Sequence, residues 1–219
     1  YYQYLSQRTK TSISAAEFDT TTRDTANNSS SKMIGLGSAF IDAQNTFGAN
    51  ALLNYSLAAN ESAWGNSNMA QQKNNLFGHK AYDSDPDAST LYKTPADCVR
   101  AHAEYFVSIN YMDPKDAFGN YNGPHFGDKQ NGFNVRYASD PYWGEKMAAI
   151  AYAVDRATGG KDYGRYKIGI VDADAVMVRA EPNTSSAAFY PTNTPGNVPI
   201  LILDEVQGTS VNGNTTWYK

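Results

Sequence analysis

An α+β architecture is predicted, an α-rich domain followed by a small β module, on three observations. Apolar residues recur at helical spacing in four segments between residues 31 and 160. A Gly159-Gly160 pair closes the last of them. Beyond it, short β-branched and aliphatic runs are separated by turn signals. A chain of 219 residues has room for one full core and a small second domain. The expected division is 1–30 as an N-terminal arm or extension, 31–160 as the α-rich domain and 166–219 as the β module. No internal repeat is present.

Residues 1–30 are polar, and Thr20-Thr21-Thr22 and Asn27-Asn28-Ser29-Ser30-Ser31 read as extended or loop segments. Ser31 is the expected N-cap of a first helix through Met33, Ile34, Leu36, Phe40 and Ile41, ended by Gly48. Asn50 should cap a second, carrying Leu52, Leu53, Tyr55, Leu57 and Ala58; being apolar nearly all round, it belongs in the core. A loop follows from Asn74 to Thr94, with Asp83-Ser84-Asp85-Pro86-Asp87 as its turn signal. Thr94-Pro95 opens a third helix, with Asp97 in its first turn, through Val99, His102, Phe106 and Val107. Residues 113–135 are glycine-rich and irregular, and Asp140-Pro141 starts a fourth helix through Trp143, Met147, Ile150 and Val154. Strands are expected over 166–171, 175–179 and 198–206, and Asn212-Gly213-Asn214 makes a hairpin turn before Trp217-Tyr218.

Charged residues make up 18% of the chain and the formal net charge is −4. With no basic stripe to neutralise phosphates, nucleic acid is not an expected partner, nor is an anionic membrane surface. No apolar run approaches the roughly 20 residues that span a bilayer. The 16 Tyr, with abundant Asn, Ser and Thr, suit a surface that hydrogen-bonds and stacks on polar, uncharged ligands such as sugars. Cys98 is the single cysteine, so no intramolecular disulfide can form. The chain opens YYQYLSQRTK, with neither Met nor signal peptide, and is expected to be a mature or trimmed piece of something larger.

The stretch Asn60-Glu61-Ser62-Ala63-Trp64-Gly65 sets a bare carboxylate at the end of the most apolar helix. A carboxylate there faces the negative end of the helix dipole, and packing near Leu57, Ala58 and Trp64 would desolvate it. Both effects favour the protonated form that a general acid needs. Gly65 permits a sharp turn and leaves room for a ligand to approach the backbone. By position alone, the better reading is Glu61 as a solvated helix-end residue and Trp64 as a core plug, since most helix-end carboxylates are ordinary.

From Ser31 to Gly159 the chain resembles the glucosaminidase domain of bacterial autolysins, glycoside hydrolase family 73. The pieces resembling the family motif are NES-x-x-G (60–65), NNLFG (74–78) and YASDP-x-Y (137–143, with Trp143 at its last position), in the family's order; "YDSDP" and "YWGEK" resemble its clostridial and lactic-acid-bacterial branch. The resemblance implies a lysozyme-like fold and hydrolysis of the β-1,4 bond after N-acetylglucosamine in peptidoglycan glycan strands. It implies that Glu61 protonates the leaving oxygen, that Asn75 and Phe77 with Leu76 and Gly78 shape the cleft floor, and that Tyr137 stabilises the reacting sugar. Trp64, Tyr82, Tyr142, Trp143 and His125 are the further candidates for substrate contact, with core packing the other reading of Tyr142 and Trp143. For a second catalytic carboxylate, Asp83 is the first candidate and Asp85 the second, 22 and 24 positions after Glu61, or else both are turn residues. A base for inversion would lie ~6.5–9.5 Å from Glu61 and a nucleophile ~5–5.5 Å; failing both, the substrate's 2-acetamido group could attack the anomeric carbon.

His79, His102 and His125 recur at 23-residue intervals without a metal-ligand pattern, so no metal and no cofactor are expected. His102 reads as a satisfied core histidine and Cys98 as a small buried hydrophobe. Residues 166–219 resemble bacterial SH3 domains, expected here to be truncated, which implies cell-wall peptide as a second partner. The expected enzyme is a monomer, secreted and associated with the wall of a Gram-positive bacterium. Two other readings are a muramidase or lytic transglycosylase of the same fold, and a wall-binding protein without catalysis.

Overall fold

The computed structural model describes residues 1–80, 89–115, 119–192 and 197–219. The chain divides into two compact units, Tyr1–Tyr163 and Gly164–Lys219. Asp83, Asp85 and Tyr82 lie outside the described residues.

The first unit is helical and opens with an element that its composition hides. Helix α1 spans Ala15–Ala26 and contains the three threonines expected to be extended. Threonine is a modest helix former, but here a capping box starts the helix: Ser14 Oγ accepts from the Glu17 N–H, and Glu17 returns a bond to the Ser14 N–H. Burial then overrides propensity. Thr22 bonds the Phe18 carbonyl at 2.9 Å and the Tyr55 hydroxyl at 2.6 Å, so its hydroxyl is satisfied inside the core. The S-x-x-E at 14–17 was the local signal for this start.

Helix α2 spans Gly37–Phe47, with its N-cap at Leu36, five residues after the expected Ser31. Ser31 does not cap it: its hydroxyl donates to the Trp64 carbonyl at 2.6 Å and accepts from the Met33 N–H, holding 31–35 as a turn. Gly48 closes α2 in the left-handed region, its N–H on the Gln44 carbonyl. Helix α3, Ala51–Glu61, begins on Asn50, whose side chain accepts from the Leu53 N–H, and every residue from Ala51 to Ala59 is buried. It packs against α2 and α6 and is the axis of the unit. A short helix α4, Asn68–Lys73, is capped by Ser67; with only Ala70 buried it shows no apolar period.

Helix α5, Pro95–Ala101, has the expected start, with Thr94 and Asp97 forming a reciprocal capping box and Pro95 in the first turn. It widens into a π-helical segment over His102–Tyr111 instead of continuing as an α-helix. One 3-10 turn, Phe133–Val135, interrupts the irregular region before α6, Trp143–Ala157. Asp140 supports the start of α6, accepting from the Tyr142 N–H at 2.9 Å.

Residues 1–13 are built into this unit. Tyr2, Leu5 and Ile13 are buried, and the Tyr2 hydroxyl donates to Asp155 Oδ2 on α6 at 2.7 Å. The Gln3 carbonyl accepts from the Gly127 N–H, and the Gln7 N–H donates to the Pro124 carbonyl. The Gln7 carbonyl and side chain in turn accept from the Asn50 N–H and Asn54 Nδ2 at the base of α3.

The second unit contains three two-stranded antiparallel ladders. Strand β1 (Lys167–Val171) pairs with β4 (Val198–Ile202), and β2 (Met177–Arg179) pairs with β3 (Ala188–Pro191). Strand β5 (Glu205–Val211) pairs with β6 (Asn214–Tyr218) through the expected hairpin, where Asn212 and Gly213 both have positive φ. The run expected as one strand over 198–206 breaks at Leu203-Asp204, and β3 carried no expectation. Among the described residues of this unit only Pro199 is buried.

Candidate functional site

Glu61 is the last residue of α3, where a fully buried helix reaches the surface. The chain then reverses through three consecutive left-handed residues, Ala63, Trp64 and Gly65, with φ of 49°, 58° and 77°. Such a run is costly for L-residues, and Ser62 holds it. The buried Ser62 hydroxyl donates to the Ala58 carbonyl at 2.6 Å and accepts from the Gly65 N–H at 2.7 Å, while its carbonyl accepts from Asn66 and Ser67. The space beside Gly65 is taken by the chain itself: a Cβ there would sit 2.7 Å from the Met33 nitrogen and the Ser31 hydroxyl. The glycine serves close packing against 31–33, not the approach of a ligand. In E-S-x-x-G the serine is therefore the hub of the turn and the glycine its seat, a role for Ser62 that was visible in the motif but not assigned from it.

The residue that meets the Glu61 carboxylate is Trp143, whose Nε1–H donates to Oε1 at 3.1 Å across 82 residues of sequence. Asn60 Nδ2 approaches the same oxygen at 3.4 Å. Trp64 instead turns its ring edge-on to Tyr55, with centroids 6.0 Å apart. Trp143 lies against the Tyr137 ring at 4.6 Å and 25°, and edge-on to Phe126 at 5.5 Å. Tyr137 also touches Tyr111, which packs on Phe133. Burial first, and the negative charge of Glu61 second, push the Tyr137 phenol well above its ordinary pKa, so it stays a neutral hydroxyl able to donate. Glu61, Tyr137 and Trp143 thus stand together, and the exposed Tyr142 immediately precedes Trp143 at the start of α6.

Asn75 and His125, both expected against substrate, are internal. Asn75 is 1% exposed; its amide donates to the His79 and Thr90 carbonyls and its oxygen accepts from the Phe77 and His79 N–H groups. Its polar capacity is consumed in shaping the loop that follows. His125 is 2% exposed, with Nε2 2.6 Å from Asn131 Oδ1, and burial lowers its pKa. Phe77 is also buried, stacked on His102 at 3.7 Å and 2°. Beneath it, His102 Nδ1 lies 2.9 Å from His79 Nε2, and His79 Nδ1 lies 2.6 Å from the Tyr92 hydroxyl. Burial pushes His79 down to about 4 and His102 well below its ordinary value, so this is a neutral pair. His102 is a core histidine, but its Nε2 has no hydrogen-bond partner among the described residues. Cys98 is buried and free; burial pushes its thiol up to about 12. No group of three or more metal-ligating side chains occurs among the described residues.

A family model described as "Glucosaminidase: Mannosyl-glycoprotein endo-beta-N-acetylglucosaminidase" matches residues 37–156. A proposed endo-beta-N-acetylglucosaminidase of Streptococcus pneumoniae serotype 4 is 39% identical over 126 residues, covering 58% of this chain and 18% of that protein. Its counterpart in strain R6 is equally similar, so the chain spans less than a fifth of the length of the curated relatives it matches. Among solved structures, S. aureus Autolysin E matches with a TM-score of 0.56 at 20% identity, over 72% of this chain and 72% of that one. A catalytic mutant of Autolysin E in complex with the disaccharide NAG-NAM gives the same TM-score at 19% identity, over 72% and 73%. The likeness to these structures is one of fold.

Proposed function

Because the chain belongs to the glucosaminidase family of glycoside hydrolases, we propose that it cleaves the β-1,4 bond after N-acetylglucosamine in peptidoglycan glycan strands, with Glu61 as general acid. The observation that carries this reading is the carboxylate of Glu61 at the end of a buried helix, bonded by the indole N–H of Trp143, on whose ring Tyr137 is stacked. Glu61 delivers its proton to the glycosidic oxygen as the bond from that oxygen to the anomeric carbon breaks. The neutral Tyr137 hydroxyl donates to the reacting sugar, and Tyr142 offers an exposed ring for a neighbouring residue of the strand. Asp83, then Asp85, is the candidate second carboxylate, with the 2-acetamido oxygen of the substrate as the alternative. Inversion at the anomeric carbon would select a carboxylate acting as base on water.

The test is digestion of purified peptidoglycan, then borohydride reduction and mass spectrometry of the new ends. Reduced N-acetylglucosamine is expected, and Glu61→Gln should abolish its release while leaving the protein folded. Reduced N-acetylmuramic acid would make the enzyme a muramidase and defeat the proposal. In the same reading the second unit is an SH3-like module that holds a secreted, monomeric enzyme on wall peptide. Its exposed ladders, with Phe189 and Tyr190 on the surface, motivate this. Retention of Glu61→Gln protein on peptidoglycan, competed by free stem peptide, is expected; undiminished retention in excess peptide would refute it.

A further inference from the structure

We propose that Trp143 is a positioning residue that holds Glu61 and stabilises the charge it acquires, and not a stacking wall for sugar. This rests on Glu61 being the proton donor. The Trp143 side chain has no ring face free for a sugar: it is 4% exposed, with Tyr137 stacked on it and Phe126 edge-on. Its one polar atom is spent on Glu61 Oε1. No described residue bonds Oε2, which leaves that oxygen to carry and deliver the proton.

The placement is built by close backbone packing. Gly144, next in α6, lies so near the 125–132 loop that a Cβ would be 1.9 Å from the Gly127 carbonyl oxygen. Gly127 is itself fixed by Gln3, whose carbonyl accepts from its N–H and whose amide donates to its carbonyl at 3.1 Å. Asn134 Nδ2 donates to the Pro141 carbonyl at 3.1 Å and its N–H to the Phe126 carbonyl at 2.9 Å, tying the entry of α6 to the same loop. The start of α6 therefore has little freedom to move the indole away from α3.

The chemistry follows from the change in the acceptor. Before transfer the indole N–H bonds a neutral carboxyl group; as the proton leaves Oε2 for the glycosidic oxygen, the same N–H bonds a carboxylate. A hydrogen bond to an ionised acceptor is roughly twice as strong as one between neutral groups. The bond thus strengthens toward the transition state and lowers the barrier, with no effect required on ground-state binding. The indole proton stays on nitrogen throughout.

Two variants test this on soluble, uncross-linked glycan strands: Trp143→Phe, and replacement of Trp143 by 3-benzothienylalanine, which keeps the bicyclic shape and substitutes sulfur for N–H. In both, kcat should fall about 10- to 100-fold, the range for losing a supporting donor, with KM within about twofold. In the 1H–15N spectrum, Trp64, Trp143 and Trp217 supply the three indole signals. The one lost in Trp143→Phe should move in Glu61→Ala, while that of Trp217, bonded to the Thr209 carbonyl, should not. A benzothienylalanine protein with unchanged kcat, a rise confined to KM, or an indole signal indifferent to Glu61 would each overturn the proposal. If instead Glu61→Gln remains active, the proton-donor assignment itself fails, a result separable from the others because the indole signal reports the contact without activity.

Discussion

Gly65 and Gly35 differ in one respect that makes the turn after Glu61 testable. Both are left-handed, with φ of 77° and 80°. A Cβ on Gly35 would meet nothing within 4 Å, whereas one on Gly65 would lie 2.7 Å from the Met33 nitrogen, 2.7 Å from the Ser31 hydroxyl and 2.8 Å from the Lys32 nitrogen. Two of those three atoms are backbone and cannot rotate away. Gly35→Ala should cost only the left-handed penalty of about 1–2 kcal/mol. Gly65→Ala should add an overpacking cost of about 1–3 kcal/mol. Urea denaturation followed by helical circular dichroism measures the difference between the two variants directly. Relief of the clash must move either the 31–33 segment or the end of α3, so Gly65→Ala should also lose activity out of proportion to its stability; a displacement of about 1 Å can cost 100-fold. Equal destabilisation by the two substitutions, within about 0.5 kcal/mol, would refute the packing role assigned to Gly65.

Two further outcomes follow from the core. His79 titrates near 4 in the folded protein because burial disfavours its charge, against about 6.5 when unfolded. The unfolded chain therefore binds the extra proton first: His79 contributes its full stability above about pH 6.5, and this is lost as pH falls toward 4, a swing on the order of 3 kcal/mol. The urea midpoint should drop over that window, and His79→Leu should flatten the slope; an unchanged slope would remove His79 from the account. Tyr2→Phe deprives the buried Asp155 of a donor at 2.7 Å and leaves it, among the described residues, the Asp162 and Tyr163 N–H groups. A loss of about 1–3 kcal/mol is expected by the same assay, and a neutral result would show that residues 1–13 are not fastened through α6.

What could be read from the sequence was the part written in local chemistry. Asn50, Gly48, Thr94, Pro95 and Asp97 act as the caps and turns their types suggest, because capping involves residues only a few positions apart. Helix α1 was hidden because Thr20-Thr21-Thr22 argued against a helix, and the contact that overrides them, Thr22 with Tyr55, spans 33 residues. Glu61 stood out as a carboxylate ending an apolar helix, yet nothing near it announced Trp143, 82 residues on. Asn75 and His125 misled for the opposite reason. Polar side chains in loops look available for a ligand, and these two spend their bonds on the chain itself, Asn75 on Phe77, His79 and Thr90 and His125 on Asn131.

In the role proposed for Glu61, a general acid must be held in one direction, and α3 offers a fixed base for it by burying every residue from Ala51 to Ala59. Burial of one helix does not place its neighbour, however; the indole that meets Glu61 belongs to α6. The N-terminal residues join the two. Gln7 binds Asn50 and Asn54 at the base of α3, while Gln3 binds Gly127, on which Gly144 and hence Trp143 rest. Residues 3–7 thus bridge the two supports of the Glu61–Trp143 contact from the side away from the carboxylate. Cutting them away should loosen that contact before it unfolds α3, because α3 keeps its own cap at Asn50 and its packing on α2.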